Sequence, residues 1–327
     1  MRGLDNIHDR NLAEAVAQSG ESDVGKIQEL NARRMGIRSL EGIEHLKNLR
    51  RLHLGRNEIS DISPLRSLER LTGLFLEKNG IHDISPLGEL TGLPALDLHG
   101  NRITELDPLT KQHKVTWLDL SENAITDIAP LGSCSFLTNL KVNGNDLASL
   151  SSLASHPRLR ILEAADNRLG PVVEFTNCPG LRSLNLSRNA IERVHTRSKL
   201  VCLHSVDLSG NRISDIQFLQ NMPNLSAINL SENPLPGTPS RIFDVTTLRT
   251  LYLWDTGIES LEGIERLTAL EELGVADNRL FDIRMLSELN NLKLLFLGGN
   301  DSIPESQLKS IGTKNTEDFR RPDWKRQ

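Results

Sequence analysis

Aromatic residues make up only 4% of this 327-residue chain, with a single tyrosine and three tryptophans. A core with so few rings must be filled by aliphatic side chains, and the placement of each ring becomes informative. Cysteine is scarcer still. Cys134, Cys178 and Cys202 are an odd set without a disulfide framework, which fits a reducing interior. No run of about 18 or more apolar residues is present to span a bilayer, and the opening stretch MRGLDNIHDRNLAEAVAQSG lacks the apolar centre of a secretory signal. A cytoplasmic protein, with no membrane insertion, is the expectation.

A dominant charge sign is also missing. The 38 basic and 43 acidic residues leave a net charge of -5, which gives no global attraction to phosphate backbones or anionic lipid. Nucleic acid is therefore set aside as a partner. Nor does the chain contain a glycine-rich phosphate loop, an H-E-x-x-H pair, a nucleophile elbow or an EF-hand loop. The expectation is a protein that is not an enzyme and takes no cofactor.

What the chain does have is a period. NEISDISPL at Asn57 to Leu65 returns as NGIHDISPL from Asn79, NRITELDPL from Asn101 and NAITDIAPL from Asn123. Asn57, Asn79, Asn101, Asn123, Asn145, Asn167, Asn189, Asn211 and Asn233 are each 22 residues apart. Before each asparagine stands L-x-x-L-x-L-x-x-N, as in Leu49, Leu52, Leu54 and Asn57, and after it come apolar residues such as Ile59, Ile62 and Leu65. The L-x-L segment alternates with period two, so it reads as a short strand with leucines inward and the intervening residues outward. Strands recurring at a fixed period stack into a parallel sheet along one continuous core, and the length therefore signals one array. A buried asparagine satisfies backbone groups that the tight bends would leave unpaired, which makes these asparagines a structural ladder.

The pattern resembles the leucine-rich repeat family, in the 22-residue class found in bacterial internalins and in the leucine-rich regulatory subunit of protein phosphatase 1. The resemblance covers residues 24–300. It implies an α/β fold, a leucine-rich-repeat solenoid coiled in a curved, right-handed sense through about 13 turns. A parallel β-sheet would line the concave face, with short helical or extended turns on the convex face. Two turns, MGIRSLEGIEHL at Met35 to Leu46 and TGIESLEGIERL at Thr256 to Leu267, depart from the ladder and resemble each other. The second follows NPLPGTP and a 23-residue interval, which marks a seam near 234–256 before the ladder resumes at Asn278 and Asn300. Residues 1–23 read as an N-terminal helical cap, with Leu12, Ala15 and Val16 on one face, Asp9 or Asn11 at its start and Gly20 at its stop. Residues 301–327 read as a C-terminal cap, with a helix in PESQLKSIG and a basic tail, RRPDWKRQ.

Two sets of residues invite a metal. His53 and His99 both face outward but lie two turns apart, about 10 Å, too far to share an ion. Cys134, His156 and Cys178 stack in one column, but that column holds Leu68, Leu90, Leu200 and Met222 elsewhere, which marks it as a core position. No metal site is assigned.

Function then falls to the outward strand positions. One column runs Asn31, His53, Phe75, Asp97, Asp119, Lys141, Glu163, Asn185, Asp207, Asn229, Tyr252, Gly274 and Phe296; the other includes Arg33, Glu77, His99, Ser121 and Trp254. Exposed aromatics are enriched among binding hot spots. Phe75, Asp97, Trp117, Asp119 and Glu163 form one candidate contact zone, and Tyr252 with Trp254 a second, read as an exposed apolar patch. Basic residues gather in the first turns and acidic ones in the middle, an arrangement that orients a partner. The reading is a monomeric scaffold or regulator that binds a folded protein on its concave face. The competing reading is an exported, internalin-like recognition or adhesion protein whose targeting segment is absent from the sequence.

Overall fold

The computed structural model describes residues 2–311; the basic tail lies outside them. It divides into two compact units, Met1–Leu169 with Phe175–Leu181, and Gly170–Glu174 with Arg182–Gln327.

The first unit opens with helix α1 (Arg10–Gln18), which buries Leu12, Ala15 and Val16. Its start is fixed by Asp9, whose Oδ1 accepts from the amides of Asn11 and Leu12 while Oδ2 accepts from those of Arg38 and Ser39. One carboxylate thus caps the helix and ties it to the first repeat, and these donors, working against burial, hold its pKa below the ordinary value. Seven short parallel strands follow: β1 (Glu29–Asn31), β2 (Arg51–His53), β3 (Gly73–Phe75), β4 (Ala95–Asp97), β5 (Trp117–Asp119), β6 (Asn139–Lys141) and β7 (Ile161–Glu163). Their register repeats the sequence period: Leu30 pairs with Leu52, Leu52 with Leu74 and Leu74 with Leu96. These central leucines are 2% exposed or less, as alternation demands.

On the side away from the sheet each turn is short 3₁₀ helix. In Ser63–Ser67 the reason is local: Asp61 Oδ1 accepts from the Ser63 amide, and Pro64 sits in the first turn, where its missing N–H costs nothing. Asp83 and Asp127 repeat the device at Ser85 and Ala129.

The second unit contains β8 (Val172–Phe175, all but its last residue), β9 (Ser183–Asn185), β10 (Arg193–Thr196), β11 (Ser205–Asp207), β12 (Ala227–Asn229), β13 (Thr250–Tyr252), β14 (Glu272–Gly274), β15 (Leu294–Phe296) and helix α2 (Glu305–Ile311). β9 and β11 to β15 form a parallel ladder, and β8 pairs with β10 separately. At the 23-residue interval Ala227 pairs with Thr250, so the extra residue is absorbed outside the strands and the register continues. The two related turns also share geometry. Gly42 and Gly263 both have φ of 96°, and their amides donate to Glu44 and Glu265 two residues on. Where Asp9 receives the Arg38 and Ser39 amides, the Gly237 carbonyl receives those of Glu259 and Ser260.

The ladder asparagines act alike in both units. Asn145 Oδ1 accepts from Ile125 N at 3.0 Å, and its Nδ2 donates to Leu120 O and Val142 O at 3.1 Å each. Asn57, Asn101, Asn211, Asn233, Asn278 and Asn300 make the same reach to the preceding turn and to a carbonyl three residues back. Asn79, Asn123 and Asn167 follow at half-buried sites. Asn189 donates to Leu186 O and Ser187 O. Just before the ladder residue the chain turns left-handed. Arg34, Arg56, Lys78, Glu122 and Asp166 have φ of 54–59°, with Gly100 and Gly144 in the same column. The bend keeps the amide in the ladder: Arg56 N donates to Glu77 O and Lys78 N to His99 O, both at 2.7 Å. The second unit repeats it at Arg188, Glu232, Asp255 and Asp277.

The cysteine and histidine column lies in the core. Cys134 and Cys178 are fully buried and donate to Leu109 O and Leu153 O, and His156 Nε2 meets Cys134 O at 3.1 Å. Burial raises both thiol pKa values and lowers that of His156, whose Nδ1 is buried without a partner. Gln112 occupies the same column and donates to Leu87 O.

Two stability measurements follow. Asn145→Ala strands the Ile125 amide and removes one of the two asparagine donors to each of Leu120 O and Val142 O, and should cost about 1–3 kcal/mol in chemical denaturation. A loss below about 0.5 kcal/mol would show that water replaces the ladder. For His156 the folded pKa lies below the unfolded one, so stability is lost as pH falls below about 6.5. His156→Leu, the column's usual residue, should be more stable than the wild type at pH 5.5, by a margin that shrinks toward pH 7.5. A margin independent of pH would remove His156 from the account.

Candidate protein-binding face

The outward side of the first unit's sheet carries two side-chain columns two residues apart, and neighbours along a column sit on adjacent strands about 4.8 Å apart. Lateral packing between turns decides what each residue can do. Phe75 is half-buried because its ring stacks on His53 at 4.4 Å with planes 2° apart, over Gly73 and beside the Arg51 guanidinium. Burial, and then the Arg51 charge, lower the pKa of His53. Glu77 folds back over Gly55 to meet Arg33 at 2.9 Å; a Cβ at Gly55 would lie 2.0 Å from its Oε1. Lys78 and His99 both approach Glu122, at 3.7 and 3.5 Å. Lys141 pairs with Glu163 at 2.9 Å, and Asn143 Nδ2 donates to the same carboxylate.

Pairing across turns offsets part of the separation of basic first turns from an acidic middle. Long side chains span one or two strands, and their charges meet. Glu163 is consequently not the free acidic contact that its column position implies.

Asp97 and Asp119 are different. They face one another in register on β4 and β5 and make no ion pair among the described residues. Each uses Oδ1 to accept from the amide two residues on, His99 N at 3.0 Å and Ser121 N at 2.9 Å. Asn31, Asn185, Asp207 and Asn229 do the same. This column therefore terminates strands as well as facing outward. The signal is in the sequence as D-x-S and N-x-S before the left-handed bend, and it escapes a reading that asks only which way residues point. Asp97 is pushed up to about 6 by burial, despite the His99 amide, with Asp119 and Glu77 adding to the rise. Trp117 stands half-buried on the same face as Asp119, two residues earlier on β5.

The second unit corrects the expectation of an exposed Tyr252 and Trp254 pair. Tyr252 is only 5% exposed. Its ring meets Trp254 edge-on at 5.6 Å, and Trp254 meets Phe296 at 5.8 Å. The cluster closes over Gly274, where a Cβ would lie 2.0 Å from Trp254 Nε1. Absence of a side chain on the intervening turn lets the rings collapse on each other, and Phe296 is covered by Trp254. Burial, and then Glu272, raise the Tyr252 pKa strongly. Trp254 Nε1 is buried without a partner, and the outer edge of the cluster belongs to half-buried Trp254 and Phe296. Away from this face, a cleft of about 360 Å³ beside β10 is lined by Arg193, His195, Asp215 and Gln220. Its charges are of mixed sign, and Arg197 is already paired with Glu174.

Among the described residues no group of three or more His, Cys, Asp or Glu could hold a metal ion, and no helix is long and apolar enough to cross a membrane.

Comparison with known proteins agrees with this architecture. Family models described as Leucine Rich repeats (2 copies) and Leucine Rich repeat match residues 26–67 and 199–216. No curated protein sequence matches the chain. Among solved structures, an internalin (inlF) of Listeria monocytogenes is 25% identical, with 98% of each chain covered and a TM-score of 0.80. A second internalin of that organism, internalin C2, is 26% identical, covering 77% of this chain and 96% of its own, with a TM-score of 0.51. A leucine-rich-repeat protein of Leptospira interrogans shares the fold at 24% identity and a TM-score of 0.75, over 85% of this chain and 74% of its own. The chain is a leucine-rich-repeat protein. Its repeats resemble those of the internalins.

The pH response of the face is testable through Asp97. Its folded pKa stands above the unfolded value of about 3.9, so its contribution to stability is present in acid and is lost as pH rises from about 4 to 6. Asp97→Asn should stabilise the protein at pH 7 by about 1 kcal/mol, after discounting for solvent screening, and by nothing at pH 4. Thermal melts at both pH values would show it, and destabilisation at pH 7 would contradict it.

Proposed function

We propose that this protein is a non-enzymatic interaction scaffold or regulator that binds a folded protein on the sheet face. The principal contact zone is Phe75, Asp97, Trp117 and Asp119 in the first unit, with Glu163 at its edge held by Lys141. Trp254 supplies a second contact in the other unit, with Tyr252 supporting it from beneath. The observation that carries this reading is the gathering, on the sheet face of the first unit, of the half-buried rings of Phe75 and Trp117 beside Asp97 and Asp119, which make no ion pair among the described residues. Half-buried aromatics beside charged groups are the composition of interface hot spots. The seven strands of the first unit offer a face about 30 Å long. Action as a monomer inside the cell is part of the proposal, supported by three unpaired cysteines.

The likeness to internalins over nearly the whole chain favours one other reading, an exported recognition or adhesion protein. Recovery of the protein from culture medium without lysis would decide for it.

The test of the principal reading is affinity capture from a source lysate with wild-type bait beside Phe75→Ala, Trp117→Ala, once both are shown to melt alike. A protein retained by the wild type and lost by the double variant supports the first contact zone. Equal capture by both, with loss on Trp254→Ala, moves the contact to the second unit. Absence of any specific capture counts against a partner in the lysate.

A further inference from the structure

The glutamates on the first unit's face are paired with cations across turns. Glu77 has Arg33, Glu122 has Lys78 and His99, and Glu163 has Lys141. Asp97 and Asp119, side by side on neighbouring strands, have no cation, and their Oδ2 atoms receive no hydrogen bond among the described residues. A second observation concerns Ser121, which follows Asp119 on the same face. It is 5% exposed, and its hydroxyl has no partner. At the equivalent positions Ser187 and Ser209 donate theirs to Asn185 and Asp207 at 2.8 and 2.7 Å. Beside the aspartate pair, therefore, a buried hydroxyl has its hydrogen-bonding capacity unused.

We propose that Asp97, Asp119 and Ser121 form the seat for an arginine side chain of a protein partner, with Trp117 as one wall. The assignment rests on the interaction reading above and specifies the chemistry of its partner. A guanidinium is planar, carries five donors in a fixed fork and is weakly hydrated, so it can meet two carboxylates on adjacent strands and stack on an indole at once. Ammonium is a compact, strongly hydrated point charge that uses neither the plane nor the fork. Two carboxylates and one hydroxyl fall short of the six or more oxygens that calcium takes.

The seat is also tuned by pH. Asp97 faces Glu77 and Lys78 from the preceding turn, His99 from its own, and Asp119 and Glu122 from the next, with Lys141 one strand further. With its carboxyl pushed up to about 6 by burial, Asp97 is partly protonated in mild acid. Seating a cation expels that proton, so affinity falls as pH drops below about 6.

The test uses the full chain and a capped tri-arginine peptide, titrated by calorimetry and by tryptophan fluorescence at low salt, where such contacts are least screened. The wild type should bind tri-arginine at least about tenfold more tightly at pH 7.5 than at pH 5, and more tightly than tri-citrulline, its neutral isostere. Asp97→Asn, Asp119→Asn should lose about tenfold or more in affinity at pH 7.5, while Glu89→Gln, Glu105→Gln, an equal charge change on exposed positions elsewhere, should retain it. Equal losses in the two double variants, indifference to pH, or equal binding of tri-lysine would overturn the arginine seat. A captured protein that depends on Phe75 and Trp117 but ignores the aspartate pair would also overturn it while leaving the interaction reading intact. Absence of a captured protein beside a positive titration would separate the two in the opposite sense.

Discussion

Everything in this structure depends on how the chain bends at the end of each strand. A turn of 22 residues must leave the sheet, cross the core and return, which exposes amides and carbonyls to an apolar interior where an unmade hydrogen bond is costly. One asparagine amide per turn resolves this, since its oxygen takes an amide of the preceding turn and its nitrogen serves carbonyls of both. Leucine packing supplies the driving force for stacking, and the asparagine, or Thr256 where the ladder departs, ties each turn to its neighbours. In consequence the strands need only three residues, and the outward positions are free of the leucine core, although several of them cap the strand on which they stand.

The two units use that freedom differently. In the first, long side chains cross between turns and pair with the glutamates, while Asp97 and Asp119 stay without a cation beside Trp117 and next to a ring system at Phe75. In the second, the missing side chain at Gly274 draws Tyr252, Trp254 and Phe296 into one cluster and converts an apolar strip into a largely closed one. The same scaffold thus presents an open, charged surface in one place and a sealed aromatic one in another. Both outcomes follow from the residues one turn away more than from the strand on which a side chain sits.

The same distinction explains how far the sequence could be read. The 22-residue spacing of the asparagines and the L-x-L alternation specify the strands, their register and their inward residues, because burial allows few alternatives. Leucines at Leu52, Leu74 and Leu96 have one place to go. Outward residues answer to their lateral neighbours, and a linear reading of columns does not weigh what Gly55 permits Glu77 or what Gly274 permits Trp254. That is why Tyr252 reads as exposed and is sealed, and why Glu163 reads as free and is paired. The strand-ending role of Asp97 and Asp119 was written as D-x-H and D-x-S, but it shows only once the following bend is known to be left-handed.

That bend has a consequence of its own. In each unit the residue before the ladder position has positive φ, and nine such positions are not glycine. Each holds an L-residue in a backbone conformation that is ordinarily disfavoured by about 1–2 kcal/mol. The cost recurs with each added turn that has no glycine there, so lengthening the array with such turns adds strain along with core. The column is also a reserve of stability, spread evenly along the chain and separate from both the leucine core and the outward columns. A lineage could draw on it through glycine, as Gly100, Gly144, Gly210 and Gly299 already do, without altering what the face recognises.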